Sequence, residues 1–256
     1  VTGTALVTGA ASGLGRLAAL RLAAAGRPVA ALDIDGGNLA ATAWRAPAIR
    51  GYQCDVADES AVREAVASAS AELGPIDLVI HASGLCRIGR ALDQPLDELR
   101  RVLDTNYLGT VHLARAVVPP MIDAGRGTVV VFGSLAGWLP SPRLAAYSAS
   151  KGAVHAYCEV LAMETAGTGV RVLCACPDHV ETPLAAGVRA ADPGVLGERA
   201  GADPGAVLDA VDRAIADPGA PLFVFPGFGT RQLWRARRFV PGPLRQVIAR
   251  YVKPAH

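Results

Sequence analysis

Tyr147 and Lys151 stand four residues apart at the head of a run patterned as a helix, from Tyr147 to about Thr165. At that spacing two side chains share one helix face, so a phenol and an ammonium converge on one point. A free tyrosine titrates near about 10. A fixed positive charge beside it favours the phenolate and draws the pKa toward working pH, where proton transfer is efficient. Ser134 lies upstream, just after the apolar run Val129-Val130-Val131-Phe132. That run reads as a buried strand, which puts the Ser134 hydroxyl at its C-terminal end, where open α/β sheets bind ligands.

Alone, a Tyr-x-x-x-Lys also describes an amphipathic helix with a solvated lysine, and a serine after a strand is ordinary turn chemistry. Composition argues for the chemical reading. Of 25 Lys plus Arg only two are lysines, Lys151 and Lys253. In a chain that otherwise uses arginine, a lysine suggests a compact ammonium that a guanidinium cannot imitate.

The elements that must position these groups follow from the rest of the chain. Its 256 residues are 51% hydrophobic and 19% charged, enough for a large core in one α/β domain. A net charge of +2 gives no general case for nucleic-acid binding. No apolar stretch reaches the ~18 residues of a membrane span, and with a strand-like start at Thr4 no signal peptide is expected. The five cysteines (54, 86, 158, 174, 176) are scattered and odd in number. Cys174 and Cys176 alternate toward one face of a strand with no second ligand pair nearby in the sequence, which reads as buried thiols rather than zinc. A reducing, cytoplasmic setting is expected.

Strand-like runs occur at 4–8, 28–33, 48–54, 76–81, 127–133, 169–175 and 221–226, with helical patterns at 13–26, 37–45, 58–73, 95–123 and 147–166. This alternation predicts a single Rossmann-type, doubly wound domain: seven parallel strands with helices on both faces. Residues 1–256 are expected to form one dinucleotide-binding catalytic domain. Within it, the Pro/Gly-rich stretch 183–204 reads as a mobile substrate loop, and 227–256 as a basic amphipathic extension.

The first turn reads Thr8-Gly9-Ala10-Ala11-Ser12-Gly13-Leu14-Gly15-Arg16. Glycines between a strand and a helix let the backbone turn tightly and approach a pyrophosphate, which the helix N-terminus holds. Strand two ends at Asp33, placed to accept hydrogen bonds from the adenosine ribose and to repel a 2′-phosphate. No arginine follows it and no basic residue precedes Gly13, so NAD is expected over NADP. Asp55, closing strand three, is placed to meet the adenine amino group.

With these residues in order, the sequence resembles the short-chain dehydrogenase/reductase family from about residue 4 to 226. The resemblance implies hydride transfer between a nicotinamide and an alcohol/carbonyl pair. It carries over a glycine motif to Thr8, Gly9, Gly13 and Gly15, with Ser12 and Leu14 beside them, and a catalytic asparagine to Asn106. Its active-site serine, tyrosine and lysine fall on Ser134, Tyr147 and Lys151. Its motif after strand six falls on Pro177, Val180, Thr182 and Pro183. By that resemblance Tyr147 exchanges the proton, Ser134 holds the substrate oxygen, Lys151 binds the nicotinamide ribose and Asn106 anchors a water relay. Thr182 holds the carboxamide, while Val56, Ser83 and Gly84 border the cofactor.

Three departures stand out. His81-Ala82-Ser83-Gly84 replaces the family's Asn-Asn-Ala-Gly, so Ala82 removes a carboxamide brace and His81 reads as a structural histidine at a strand end. Asp178 replaces a glycine after Pro177. Its carboxylate either faces the nicotinamide, favouring NAD⁺ over NADH and alcohol oxidation, or turns to solvent or a local turn. Finally, the tail from Thr230 to His256 mixes arginines with Leu233, Trp234 and Phe239. Pro241 and Pro243 divide it, favouring packing on the cleft or on a partner subunit over a peripheral membrane contact.

Leu85, Trp138, Leu139, Leu144, Leu184, Val188 and Leu196 lie beside the motifs and predict an apolar, alicyclic, steroid-, terpenoid- or polyketide-like substrate. Arg87 and Arg143 are the alternative, a carboxylate subsite. No metal is expected. The helical runs 95–123 and 147–166 resemble the pair through which family members dimerise, so a homodimer is expected. Two other classes fit the sequence less well. A sugar-nucleotide isomerase or lyase needs a further substrate domain, and a non-catalytic dinucleotide sensor or scaffold would be expected to have lost Tyr147 or Lys151.

Overall fold

The computed structural model describes residues 3–196, 200–227 and 229–243. Seven strands form one parallel sheet: β1 Thr4–Thr8, β2 Val29–Asp33, β3 Ile49–Gln53, β4 Ile76–His81, β5 Gly127–Phe132, β6 Val170–Ala175 and β7 Phe223–Val224. Their order is β3-β2-β1-β4-β5-β6-β7, so the doubly wound, seven-stranded expectation holds. The inner strands bury both faces, with every residue of β1 inaccessible or nearly so, which is why they read as continuous apolar runs. One face packs Leu113, Val117 and Val154 against Val129, Val131 and Cys174. The other packs Ala18, Ala19, Val207 and Val211 against Val7, Ala31, Ile80 and Leu173.

Helices α1 Gly13–Ala24, α2 Gly36–Ala43 and α3 Glu59–Leu73 connect the first strands. Side chains accept bonds from the free N–H groups of two of them: Asp35 takes Asn38 N on α2, and Asp58 takes Ser60 N and Ala61 N on α3. The expected continuous helix 95–123 is instead α4 Leu96–Leu103, a π-helical turn Asp104–Leu108 and α5 Gly109–Asp123. A π turn adds a residue to the helix circumference without breaking the run, so periodicity alone reads through it. Helix α6, Ala145–Glu164, follows a 3₁₀ turn at Leu135–Gly137.

Among its described residues, the stretch 183–204 is largely helical rather than an irregular loop. It begins with α7 Pro183–Ala191 and α8 Pro193–Leu196, and α9 spans Pro204–Ala216. Each starts with proline at its first position, where the missing N–H costs nothing and the fixed φ suits a helix. Thr182 and Asp203 cap α7 and α9. The prolines that read as breakers are helix starts. Strand β7 has only two residues of the expected 221–226. Helix α10, Thr230–Phe239, then carries the first part of the tail, anchored by the buried Thr230 hydroxyl donating to the carbonyls of Phe225 and Gly227. Arg245, Arg250 and Lys253 lie outside the described residues. Among the described residues no helix is long and apolar enough to cross a membrane.

His81 closes β4 fully buried, with its Nδ1 2.7 Å from the Thr8 hydroxyl. Burial pushes its pKa from 6.5 down to about 3, so the fold holds a neutral imidazole while the unfolded chain takes up a proton below about 6.5. Between those values the unfolded state binds more protons, so this group makes stability rise with pH and fall in acid. The urea midpoint is expected to drop from pH 7 to pH 5, and to drop less in His81→Gln. Equal drops in both proteins would remove His81 as the cause.

Candidate active site

The strand order reverses between β1 and β4, and a cavity of about 1410 Å³ opens above that crevice. This is where a doubly wound sheet binds ligands. The chain passes the crevice at very close range. Gly9 has φ +68°, and a Cβ there would lie 2.8 Å from the Ala82 carbonyl group. One at Gly15 would run into the Gly9 carbonyl. Gly13, at φ +51°, faces Thr182 across the opening. The carboxamide absent at Ala82 is compensated from β1: the Thr8 hydroxyl accepts from Ser83 N at 3.2 Å while also meeting His81. The β1 and β4 ends are therefore still braced.

Ser134, Tyr147 and Lys151 all border the cavity. Ser134 is the cap of the 3₁₀ turn, its hydroxyl accepting from Ala136 N at 3.1 Å and its N–H pointing at His155 Nε2 at 3.4 Å. Lys151 is 5% exposed, and its ammonium donates to the Phe132 carbonyl at 2.7 Å. Burial lowers its pKa. For Tyr147, burial is the largest effect and drives the phenol well above its ordinary value, opposed by a hydrogen bond with Ser134. This corrects the expectation of a pKa drawn down by Lys151. The ammonium sits 5.8 Å from the ring centroid, and in the ligand-free cleft desolvation of the phenolate outweighs it.

Asn106 lies in the π turn, 1% exposed and outside the cavity wall. Its Oδ1 accepts from Leu85 N at 2.7 Å, and its Nδ2 donates to Leu85 O and Ser150 Oγ, both at 2.9 Å. Its carbonyl accepts from Thr110 Oγ1. The geometry is a clamp between the post-β4 segment and α6.

Gly9, Ser12, Gly13, Leu14, Gly15, Asp33, Asp55, Val56, Ser83, Gly84, Pro177, Val180 and Thr182 all border the same cavity. Asp33 accepts from Ala11 N at 2.9 Å and Asp35 N at 3.0 Å, one bond to each oxygen. Unlike α2, α3, α7 and α9, helix α1 has no side chain capping its first turn, which leaves N–H groups for an anion. These features fit the pyrophosphate and ribose of a dinucleotide. Arg16 is engaged by Thr42, Asn38 and the Ala11 carbonyl. Asp178 borders the cavity and its carboxylate accepts from His179 N at 2.9 Å, a local turn bond.

Leu85, Leu139, Leu144, Leu184, Val188 and Leu196 form an apolar wall. Trp138 does not belong to it. Its ring stacks on His155 at 4.8 Å and meets Phe223 and Trp234 edge-on, so the residue after the 3₁₀ turn faces the core while Leu139 faces the cleft. Arg87 is exposed and Arg143 is ion-paired with Asp192; neither borders the cavity.

A family model described as short chain dehydrogenase matches residues 3–193. The chain belongs to that family. It is 38% identical over 181 residues to 2-dehydro-3-deoxy-L-rhamnonate dehydrogenase (NAD(+)) of Sphingomonas sp. strain SKA58, covering 70% of this chain and 73% of the relative. It is 39% identical over 192 residues to 1-deoxy-11-beta-hydroxypentalenate dehydrogenase of Streptomyces avermitilis, covering 72% and 71%. A crystal structure of a short-chain dehydrogenase from Streptomyces avermitilis superposes with a TM-score of 0.84 at 26% identity, covering 96% of each chain. This short-chain dehydrogenase is thus an oxidoreductase that binds a nicotinamide dinucleotide.

Cys86, Val195 and Leu233 border the cavity without having been singled out for it. Cys86 and Val195 neighbour Leu85 and Leu196 and could have been taken with them. Leu233 belongs to the tail expected to pack on the cleft or on a partner subunit, and its place on the cavity fits the first: it comes from α10, seated by Trp234 against Phe225 and Trp138 and by Arg237 Nε donating to the Trp138 carbonyl at 3.0 Å. Asn106→Ala would strip partners from the Leu85 N–H and C=O. With buried groups left unsatisfied, a loss of about 3 kcal/mol is expected. Urea denaturation measures it, and a loss below about 1 kcal/mol would rule out the clamp.

Proposed function

We propose that this short-chain dehydrogenase oxidises a largely apolar secondary alcohol, or reduces the matching ketone, with NAD in preference to NADP. Three polar side chains converge beside an apolar wall, and that observation carries the reading. A bound nicotinamide, held by the glycine turn, Asp33, Lys151 and Thr182, would supply the hydride acceptor or donor. Tyr147 takes the hydroxyl proton in oxidation and donates it in reduction, while Ser134 holds the substrate oxygen. Lys151 spends one of its three donors on Phe132, leaving two for ribose hydroxyls. Thr182 and Val180 line the carboxamide end. The raised phenol pKa keeps Tyr147 protonated, the form that donates to a ketone.

Asp33 supports NAD, since its two oxygens accept only one bond each from the backbone and a 2′-phosphate would meet the carboxylate. The wall from Leu85, Leu139, Leu144, Leu184 and Val188, with both candidate arginines placed elsewhere, supports an alicyclic, steroid-, terpenoid- or polyketide-like substrate. Exposed Leu108 and Ile122 near and on α5, with Val160 and Met163 on α6, support a homodimer through these helices. Turnover of NADH against a panel of ketones tests the reading. Binding without turnover on any of them would favour a dinucleotide sensor.

Tyr147→Phe is expected to lower kcat by about a hundredfold or more while the Kd for NADH stays within a few-fold. Retention of more than about a tenth of the rate would end the acid/base assignment. In the intact enzyme, kcat/KM for reduction should stay flat past neutral pH and fall only above the ordinary phenol value. Oxidation should rise across the same range, because it needs the deprotonated phenol.

For the cofactor, kcat/KM is expected to favour NAD over NADP by orders of magnitude, and Asp33→Ala to narrow the gap mainly by weakening NAD. Equal use of both by the unmodified enzyme would sink the preference.

A further inference from the structure

Behind the wall that carries Ser134 and Lys151, the fold brings together residues far apart in the chain. Cys174 on β6 and Cys176 just beyond it point into the same cluster, and α6 turns His155 onto them. Cys176 Sγ is 3.3 Å from His155 Nε2 and 3.8 Å from Cys174 Sγ, and the three atoms lie within 4.8 Å of one another. All three residues are at most 2% exposed. Both thiols are free.

The two shorter separations are close to those of ligands on one ion. Two metal–sulfur bonds of about 2.3 Å at a tetrahedral angle place sulfurs about 3.8 Å apart, and a sulfur and an imidazole nitrogen about 3.5 Å apart. Gly133 lets these groups come together. A Cβ there would sit 2.6 Å from His155 Nε2 and 2.9 Å from Cys174 Sγ, so any side chain at this position would push the candidate ligands apart.

We propose that Cys174, Cys176 and His155 form a closed site for one thiophilic d10 cation, zinc(II) or copper(I). Thiolate and imidazole donors select such ions. The His155 imidazole would ligate through Nε2, the atom that faces Cys176 Sγ. Two thiolates and a dication sum to zero charge, so a zinc(II) ion adds no net positive charge beside the Lys151 ammonium. The ion would join α6, which carries Tyr147 and Lys151, to the strand that leads into Pro177–Thr182. Its place is structural, since all three donors are buried away from substrate.

The test uses the full chain, reduced and stripped of metal. Titration with cobalt(II) is expected to give thiolate-to-metal charge-transfer absorption saturating at one equivalent. Cys174→Ser and Cys176→Ser should each lose it, while Cys86→Ser, which removes a cavity thiol, should keep it. Separate additions of zinc(II) and copper(I) to the stripped wild type identify the ion, the better one raising the thermal midpoint more and saturating at one equivalent. Should a serine variant fail to fold, His155→Gln and the wild-type titrations still decide. No thiolate bands in the wild type, bands that survive Cys174→Ser, or no rise in midpoint with either ion would each overturn the site.

Discussion

The active-site wall is built around one buried cation. An ammonium removed from water is costly unless it is well bonded, and Lys151 has a single intramolecular bond in the described structure, to the carbonyl that ends β5. That bond holds the head of α6 against the sheet. It places Tyr147 over the cleft and sets Gly137 and Gly133 hard against His155, where a Cβ on either would collide with the ring. Asn106 fastens the same helix from the other side through Ser150. An arginine could not occupy this position, since its planar fork needs more acceptors in a fixed plane than one carbonyl offers.

The glycines of the first turn have a similar economy. Gly9 and Gly15 are there because backbone meets backbone, and the uncapped start of α1 follows from the same close approach. Such constraints are local in sequence and leave strong marks: Gly9, Gly13 and Gly15 at the head of a βαβ unit, an acid ending β2, a tyrosine four residues from one of two lysines. The strands were legible for a related reason. A parallel strand buried on both faces is an unbroken apolar run, and its limits matched to within a few residues, β7 apart.

What the sequence hid was hidden by distance or by double meaning. Pro183, Pro193 and Pro204 read as breakers, yet each opens a helix, because proline is compatible with a helix's first position and with a loop alike. The π turn at Asp104–Leu108 leaves no break in the apolar period. Trp138 and Leu139 are adjacent and apolar, and only the 3₁₀ turn before them decides which faces the cleft. His155 is one histidine on a long helix. Its nearness to Cys174 and Cys176 depends on how α6 lies across β6, which no spacing in the chain records.

The substrate wall shows the same division most sharply. Its parts come from the segment after β4, from the turn before α6, from α7 and α8, and from Leu233 on α10. The glycine turn, Asp33 and Ser134 sit at strand ends, which parallel topology forces into one crevice, and α6 brings Tyr147 and Lys151 to the same place. The wall depends instead on how helices pack over that crevice, held by devices such as the Arg143–Asp192 ion pair and the Arg237 bond to Trp138. Those devices are remote in sequence and unrelated to the reaction, so they are free to vary while the Ser-Tyr-Lys geometry stays put. Altering α7, α8 or α10 would therefore reshape the apolar wall while leaving Ser134, Tyr147 and Lys151 in place.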